Sequence, residues 1–173
     1  QRLHAVNDVD PMISIATVPA WHRVDARGMI ATIKIIAYAV PQGSVLRAGE
    51  GASGAMAVLA PVYQTATLIE TTVSQDIPSE KGRGAMFGRL DRMGLGLSPR
   101  VVVPHCEVDL ARAIAEAEGD IVLILTGSAT SDPMDVAPQA VRLAGGEVTR
   151  FGMPVDPGNL LFLGMLGEKP VMG

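Results

Sequence analysis

The hydrophobic pattern changes its period along the chain. Residues 12–18, "MISIATV", and 28–40, "GMIATIKIIAYAV", are dense in the β-branched residues that fit a pleated surface. Pro19 and "DARG" separate them, which predicts an extended β arm or a long hairpin. Residues 42–60 are rich in Gly and Ala with few large anchors, which predicts a helix ending before Pro61.

A regular beat follows. "TATLIETTV" (65–73) reads as a strand and "SEKGRGAMFGRLDRMG" (79–94) as a helix, with Met86, Leu90 and Met93 on one face. "RVVV" (100–103) is a short buried strand. "EVDLARAIAEAEG" (107–119) is a helix with Leu110, Ile114 and Ala117 inward and Gly119 as its C-terminal cap. "DIVLIL" (120–125) is an apolar strand, "DVAPQAVRLAGG" (135–146) a helix stopped by paired glycines, and "EVTRFG" (147–152) a strand. Strands alternating with helices of about 10–15 residues predict an α/β fold whose mostly parallel sheet is covered on both faces.

Composition narrows this. Hydrophobic residues make up 48% and aromatics only 3%, so the core is aliphatic, which suits α/β layers better than an aromatic-rich β-sandwich. The mean hydropathy of +0.30 leaves apolar surface for a partner, either another domain or another copy of the chain. A net charge of −4 without a Lys/Arg block argues against nucleic acid. A single cysteine, Cys106, excludes an intramolecular disulfide and points to a reducing, cytoplasmic setting. No apolar run approaches the roughly 18 residues of a membrane span. The opening "QRLHAVNDVD" reads as mid-protein sequence and "EKPVMG" as an unfinished strand, so a piece of a longer protein, truncated at its C-terminus, is expected.

In open parallel sheets, ligands settle beyond the carboxyl ends of the strands, where the next helix presents its N-terminus. "TGSATSDPMD" occupies that place after 120–125. Gly127 permits close backbone approach, and Thr126, Ser128, Thr130 and Ser131 offer hydroxyls. The helix starting near Asp135 adds free amides, a setting for an anion such as phosphate. Asp132 and Asp135 fit such a site if Mg²⁺ bridges or if they accept ligand N–H groups. Asp135 is equally accounted for as a helix N-cap, with Pro138 in the first turn.

The stretch "DIVLILTGSATSDPMDVAP" followed by "AGGEVTRFGMPVDPGNLLFLGMLGEKPVMG" resembles the molybdopterin-binding domain shared by molybdopterin adenylyltransferases and molybdopterin molybdotransferases. That family has a strand, a "TGG(T/V)(G/S)" loop, an aspartate, and "TP" opening a helix. Thr126 and Gly127 match the start of the loop, and Asp135 and Pro138 match the aspartate and the proline. The "FGMPVDPGN" motif at 151–159 is similar to a bacterial subgroup in which the domain is joined to a cytidylyltransferase-like domain. The likeness runs from about residue 33 to 173.

The resemblance implies a three-layer α/β/α sandwich acting in molybdenum cofactor biosynthesis, preceded by a β-rich N-terminal arm. The domains would be 1–41, an arm or the remnant of a preceding domain, and 42–173, the molybdopterin-binding domain. It implies molybdopterin as substrate or ligand, a homo-oligomer, a nucleotide in the catalytic case, and Asp135 as the catalytic carboxylate and Mg²⁺ ligand. Thr126, Gly127, Ser128, Thr130, Asp132, Asp156, Pro157, Gly158 and Asn159 would line the ligand. Three departures stand out. Ser128 and Ala129 put Cβ atoms where the family's glycines suggest positive φ. Asn159 replaces a lysine of the molybdotransferase branch. The family's Leu-Pro-Gly-type loop would follow Gly173. These departures favour the alternative of a non-catalytic binding or oligomerisation module serving a fused cytidylyltransferase domain.

Other candidates are weaker. "GEGASG" (49–54) spells a dinucleotide fingerprint, with Glu70 at the distance of a ribose-binding acid, but it lacks the strand, tight turn and long helix in succession; a Gly/Ala loop accounts for it. Thr71, Asp76, Lys81 and Arg83 follow the 65–73 strand and share the edge of Thr126. "PVDPGN" serves equally as a turn. His105 and Cys106 lack metal-ligand spacing, and Trp21 with His22 reads as a packing anchor.

Overall fold

The computed structural model describes residues 2–173. The chain divides into two compact units, Gln1–Ala60 and Pro61–Gly173. The helix expected at the head of the second domain therefore belongs to the first unit.

The first unit holds α1 (Arg2–Asn7), β1 (Ile13–Thr17), β2 (Ala31–Ile35) and α2 (Gln42–Ala52). The expected hairpin forms: β1 and β2 pair antiparallel, with Ile13 opposite Ile35 and Ile15 opposite Ile33. Asn7 fixes its start, accepting from Ile15 N at 2.7 Å and donating to Ile15 O at 3.0 Å. Val6, Ile13, Ile15 and Ala48 form its small core. The hairpin packs with both helices through Val6 of α1 and Ala48 of α2. One expectation needs correction. The helix over 42–60 stops at Ala52, because Gly54 takes φ of +66° and the apolar residues beyond, Met56, Val58 and Leu59, are exposed and supply no buried face. Gly49 and Gly51 lie inside that helix, not in a loop, with no strand leading into it.

The second unit contains β3 (Thr65–Thr72), α3 (Glu80–Asp91), β4 (Gly96–Leu97), β5 (Val101–Pro104), α4 (Glu107–Glu116), β6 (Ile121–Leu125), α5 (Val136–Leu143), β7 (Glu147–Phe151), β8 (Phe162–Leu166) and β9 (Lys169–Met172). They build a seven-stranded sheet in the order β4-β3-β6-β9-β8-β7, with β5 pairing β3 beyond β4. Pairings of β3 with β4, β5 and β6, and of β6 with β9, are parallel; β9–β8 and β8–β7 are antiparallel. The mostly parallel α/β reading thus holds, with an antiparallel edge. The sequence reading lacked β8, whose "FLGML" is joined to β9 through a tight turn at Gly167 (φ +60°).

Alternate side chains of a strand face opposite ways, and both directions are filled. Ile69, Val122, Ile124, Phe162 and Val171 pack against Leu110 and Ile114 of α4 and Ala140 and Val141 of α5. Ala66, Leu68, Ile121 and Leu123 pack with Leu90 of α3 and with Leu95. Helices therefore lie on both faces, an arrangement compatible with three layers. Met93, expected on the buried face of α3, falls beyond the helix end and is 43% exposed. Gly119 is no helix cap, since α4 ends at Glu116 and its C-cap is Ala117. It is small because a Cβ there would stand 2.5 Å from Thr67 N. Gly145 (φ +87°) does stop α5. No helix of the described residues is long and apolar enough to cross a membrane.

The amino ends of β3 and β6 are tied by Asp120. Its Oδ2 accepts from Gln64 N at 2.8 Å, Thr65 N at 2.9 Å and Thr65 Oγ1 at 3.1 Å. The Gln64 and Thr65 amides hold its carboxyl below the usual range, opposed by desolvation. A depressed folded-state pKa adds stability above the unfolded value, near 4, and loses it as pH falls through the folded value. Asp120→Asn is accordingly expected to lower stability at pH 7, with the gap to wild type closing below about pH 4; urea unfolding at several pH values measures it.

Candidate functional site

The carboxyl ends of β3 and β6 are adjacent, and the loops leaving them form a cleft of about 300 Å³. Thr71, Thr72, Ser74, Asp76 and Ser79 line one side, Thr126 and Gly127 the other, and Glu70 lies at its base. Thr72 organises the first wall: its hydroxyl lies 3.0 Å from the carbonyl oxygens of Ser74 and Asp76 and accepts from Ser74 N at 3.2 Å. Ser79 sits at the N-cap of α3 without making a cap hydrogen bond, so its hydroxyl stays available.

The base of the cleft is charged but neutralised. Glu70 is 1% exposed and is the one charged residue of β3. Arg100, in the link before β5, grips it through both oxygens, Nε to Oε2 at 2.8 Å and Nη2 to Oε1 at 3.0 Å. The same guanidinium reaches Pro78 O and the exposed Glu80, tying the start of α3 to the sheet. Hydrogen bonding to Glu70 raises the already high pKa of Arg100, against desolvation.

The expected site residues fall into three groups. Thr126 and Gly127 line the cleft together with Thr71 and Asp76; Lys81 and Arg83 do not, and Arg83 instead donates to Ser98 O at 2.6 Å. Ser128, Thr130, Asp132 and Asp135 lie beyond it, on the loop to α5. Asp135 does take the N-cap position, but its Oδ2 accepts from Ser131 N and from Asp132 N (3.1 Å) rather than from the helix. Asp132 accepts from Met134 N at 2.7 Å. Asp156, Pro157, Gly158 and Asn159 form the tip of the β7–β8 hairpin, closed by Gly152 N to Leu161 O at 2.9 Å. Because β8 runs antiparallel to β9 and β9 parallel to β6, that tip stands at the same sheet edge as Thr126. Its nearer strand, β8, is two strand spacings from β6, about 10 Å, and β7 is three.

Ser128 and Ala129 carry no backbone strain. Among the described residues Trp21 and Arg27 are the non-glycines with positive φ, so Ser128 and Ala129 occupy ordinary backbone. Gly127 is the position with no room, since a Cβ would stand 2.6 Å from Thr71 O. The close approach expected of it is to β3 itself.

A Mg²⁺ site needs only one or two carboxylates when a ligand phosphate completes it. Asp135 Oδ1, which makes no hydrogen bond among the described residues, fits that role. No group of three or more His, Cys, Asp or Glu among them converges to hold a metal without a ligand. A larger cavity, about 460 Å³, lies between β5 and α4 beside Val101, Val103 and Arg112, away from these loops. Asp109, Glu116 and Glu118 among its lining residues give it an acidic balance against the single Arg112, which disfavours an anion, so the hydroxyl-lined cleft is the better candidate.

Sequence reasoning passed over two features. The lone Glu in "TATLIETT" and the Arg opening "RVVV" form a buried pair, whereas the sequence reading weighs Glu70 only within the dinucleotide fingerprint that it rejects. His105, set aside for want of metal spacing, bonds Thr71 through Nδ1 at 2.8 Å. The chain matches no model of a known protein family, and a search of curated proteins finds no match.

Arg100→Met leaves the Glu70 carboxylate buried without a partner, and a marked loss of stability is expected. Adding Glu70→Gln should return most of it. Urea denaturation of the single and double variants measures both.

Proposed function

We propose that the second unit binds molybdopterin at the carboxyl edge of β3 and β6, as a domain of molybdenum cofactor biosynthesis. The fold that accompanies this reading is the three-layer α/β/α sandwich of the molybdopterin-binding family, in a cytoplasmic homo-oligomer. One observation carries it: α3 and α5, which follow β3 and β6, both begin at this edge without a side-chain cap, next to a hydroxyl-lined cleft holding the start of the "TGSATSD" loop. Uncapped helix amides favour an anion such as the pterin phosphate. The cleft lining includes no Lys or Arg, so hydroxyls and amides are the available donors, and Asp76 suits the N–H groups of a heterocycle. Where Mg²⁺ takes part, Asp135 Oδ1 holds it beside the phosphate, which offsets carboxylate–phosphate repulsion.

A second reading, a non-catalytic binding or oligomerisation module serving a cytidylyltransferase domain, draws on two facts. The Asp135 carboxylate is engaged by its own loop. In the first unit, Ile33 and Ile35 are 69% and 52% exposed on the face that buries Ile13 and Ile15, apolar surface of the kind that a partner covers.

Calorimetry with molybdopterin tests the first reading. Wild type should bind, and Thr126→Val should weaken binding about 10-fold or more through loss of a hydroxyl donor to a charged group. Equal affinities remove the 126–127 segment from the site, and no binding to wild type removes the pterin. Asp135→Asn should abolish any Mg²⁺ dependence of binding, and turnover of ATP or CTP with bound pterin separates enzyme from module.

A further inference from the structure

The ends of three parallel strands meet at one hydroxyl. Thr71, near the end of β3, is 1% exposed. Its Oγ1 accepts the Gly127 amide proton at 2.8 Å and lies 2.8 Å from Nδ1 of His105, the residue after β5. His105 is held there by its own amide, which donates to Thr72 O at 2.8 Å. The backbone after β6 meets β3 so closely that only glycine fits at 127. One side chain thus joins β5, β3 and β6 beneath the cleft.

Counting protons gives the direction of these bonds. A threonine hydroxyl has one proton to donate and two lone pairs. The Gly127 amide can only donate, so it takes one lone pair. A proton on His105 Nδ1 would take the other and leave the sealed Thr71 hydroxyl proton without an acceptor, an arrangement that buried groups avoid. With Nδ1 bare, the hydroxyl donates to the ring, and the Gly127 amide, the Thr71 hydroxyl and Nδ1 are all satisfied. His105 is therefore the Nε2–H tautomer, and donation runs from Gly127 to Thr71 to His105.

We infer that Thr71 and His105 are positioning residues for the ligand cleft. They draw the Gly127 amide inward against β3 and so hold Thr126 at the cleft wall. This amide is then withdrawn from the ligand, and an anion at this wall meets hydroxyls instead. The inference rests on the pterin-binding reading only for the identity of the ligand.

Solution NMR of the whole chain tests it. Long-range proton–nitrogen correlations should show His105 as the Nε2–H tautomer at neutral pH. Thr71→Val removes the hydroxyl and His105→Phe the acceptor, whereas Thr71→Ser and His105→Asn retain them, the Asn Oδ1 standing in for Nδ1. Exchange of the Gly127 amide should become about tenfold faster in the first two and stay near wild type in the second two, with the Val122 amide unchanged in all four. Molybdopterin affinity should fall about tenfold in the same two and be kept in the conservative pair. An Nδ1–H tautomer in wild type, unaltered Gly127 exchange, or equal pterin affinity across the variants overturns the inference. Should Thr71→Val fail to fold, the wild-type tautomer and the His105 pair still decide. Expected tautomer and exchange with no pterin binding by wild type would sink the pterin reading while the positioning of the loop stands.

Discussion

The second unit is organised around a charge that cannot reach water. Glu70 stands on β3, between β5 and β6 in the sheet, and its carboxylate is sealed from solvent. A buried carboxylate is tolerated only when both oxygens are met, and Arg100 meets both. That requirement has consequences for the chain around it. Arg100 must reach inward just before β5 begins, so β5 starts where the guanidinium lets it, in register with Ile69. The same group holds Pro78 O, which places the first turn of α3 over the end of β3. An apolar pair of similar volume could stabilise the sheet as well. It would not fix the height of the α3 start, and that height gives the cleft its wall.

The fold was largely legible because its strands obey strong rules. "IVLIL" has no polar alternation, which says that both its faces are covered, "TATLIETTV" is dense in β-branched residues, and each is followed by a segment with helical spacing. Where the pattern weakened, so did the reading. Residues 53–60 have enough Ala for a helix but no face to bury. "FLGML" was missed because its glycine is there for contact, not for a bend: a Cβ at Gly164 would stand 2.6 Å from Glu147 O. Gly119 misled in the same way, since a glycine after a helix reads as a cap when its true constraint is a neighbouring strand.

The site was less legible than the fold, for a physical reason. Residues next to each other in "TGSATSDPMD" divide between different tasks, and sequence order does not record the division. Thr126 faces the cleft, Gly127 is pressed on β3, and Asp132 and Asp135 close their own loop. What completes the cleft, Ser74, Asp76 and Ser79, comes from some fifty residues earlier and meets Thr126 only because β3 and β6 are parallel neighbours. Topology supplied what spacing could not.

The loop also separates two kinds of glycine that a motif writes with one letter. A glycine kept for positive φ resists replacement because of its own backbone, whereas one kept for close approach resists because of its neighbour. Gly127 is of the second kind, and the residues after it, Ser128 and Ala129, are under neither constraint. Side chains at those two positions therefore cost the backbone nothing. The loop keeps its path as long as Gly127 lies flat on β3 and Thr71 accepts its amide. What is free to vary is the chemistry beyond that point, where neither the backbone nor β3 restricts the side chain.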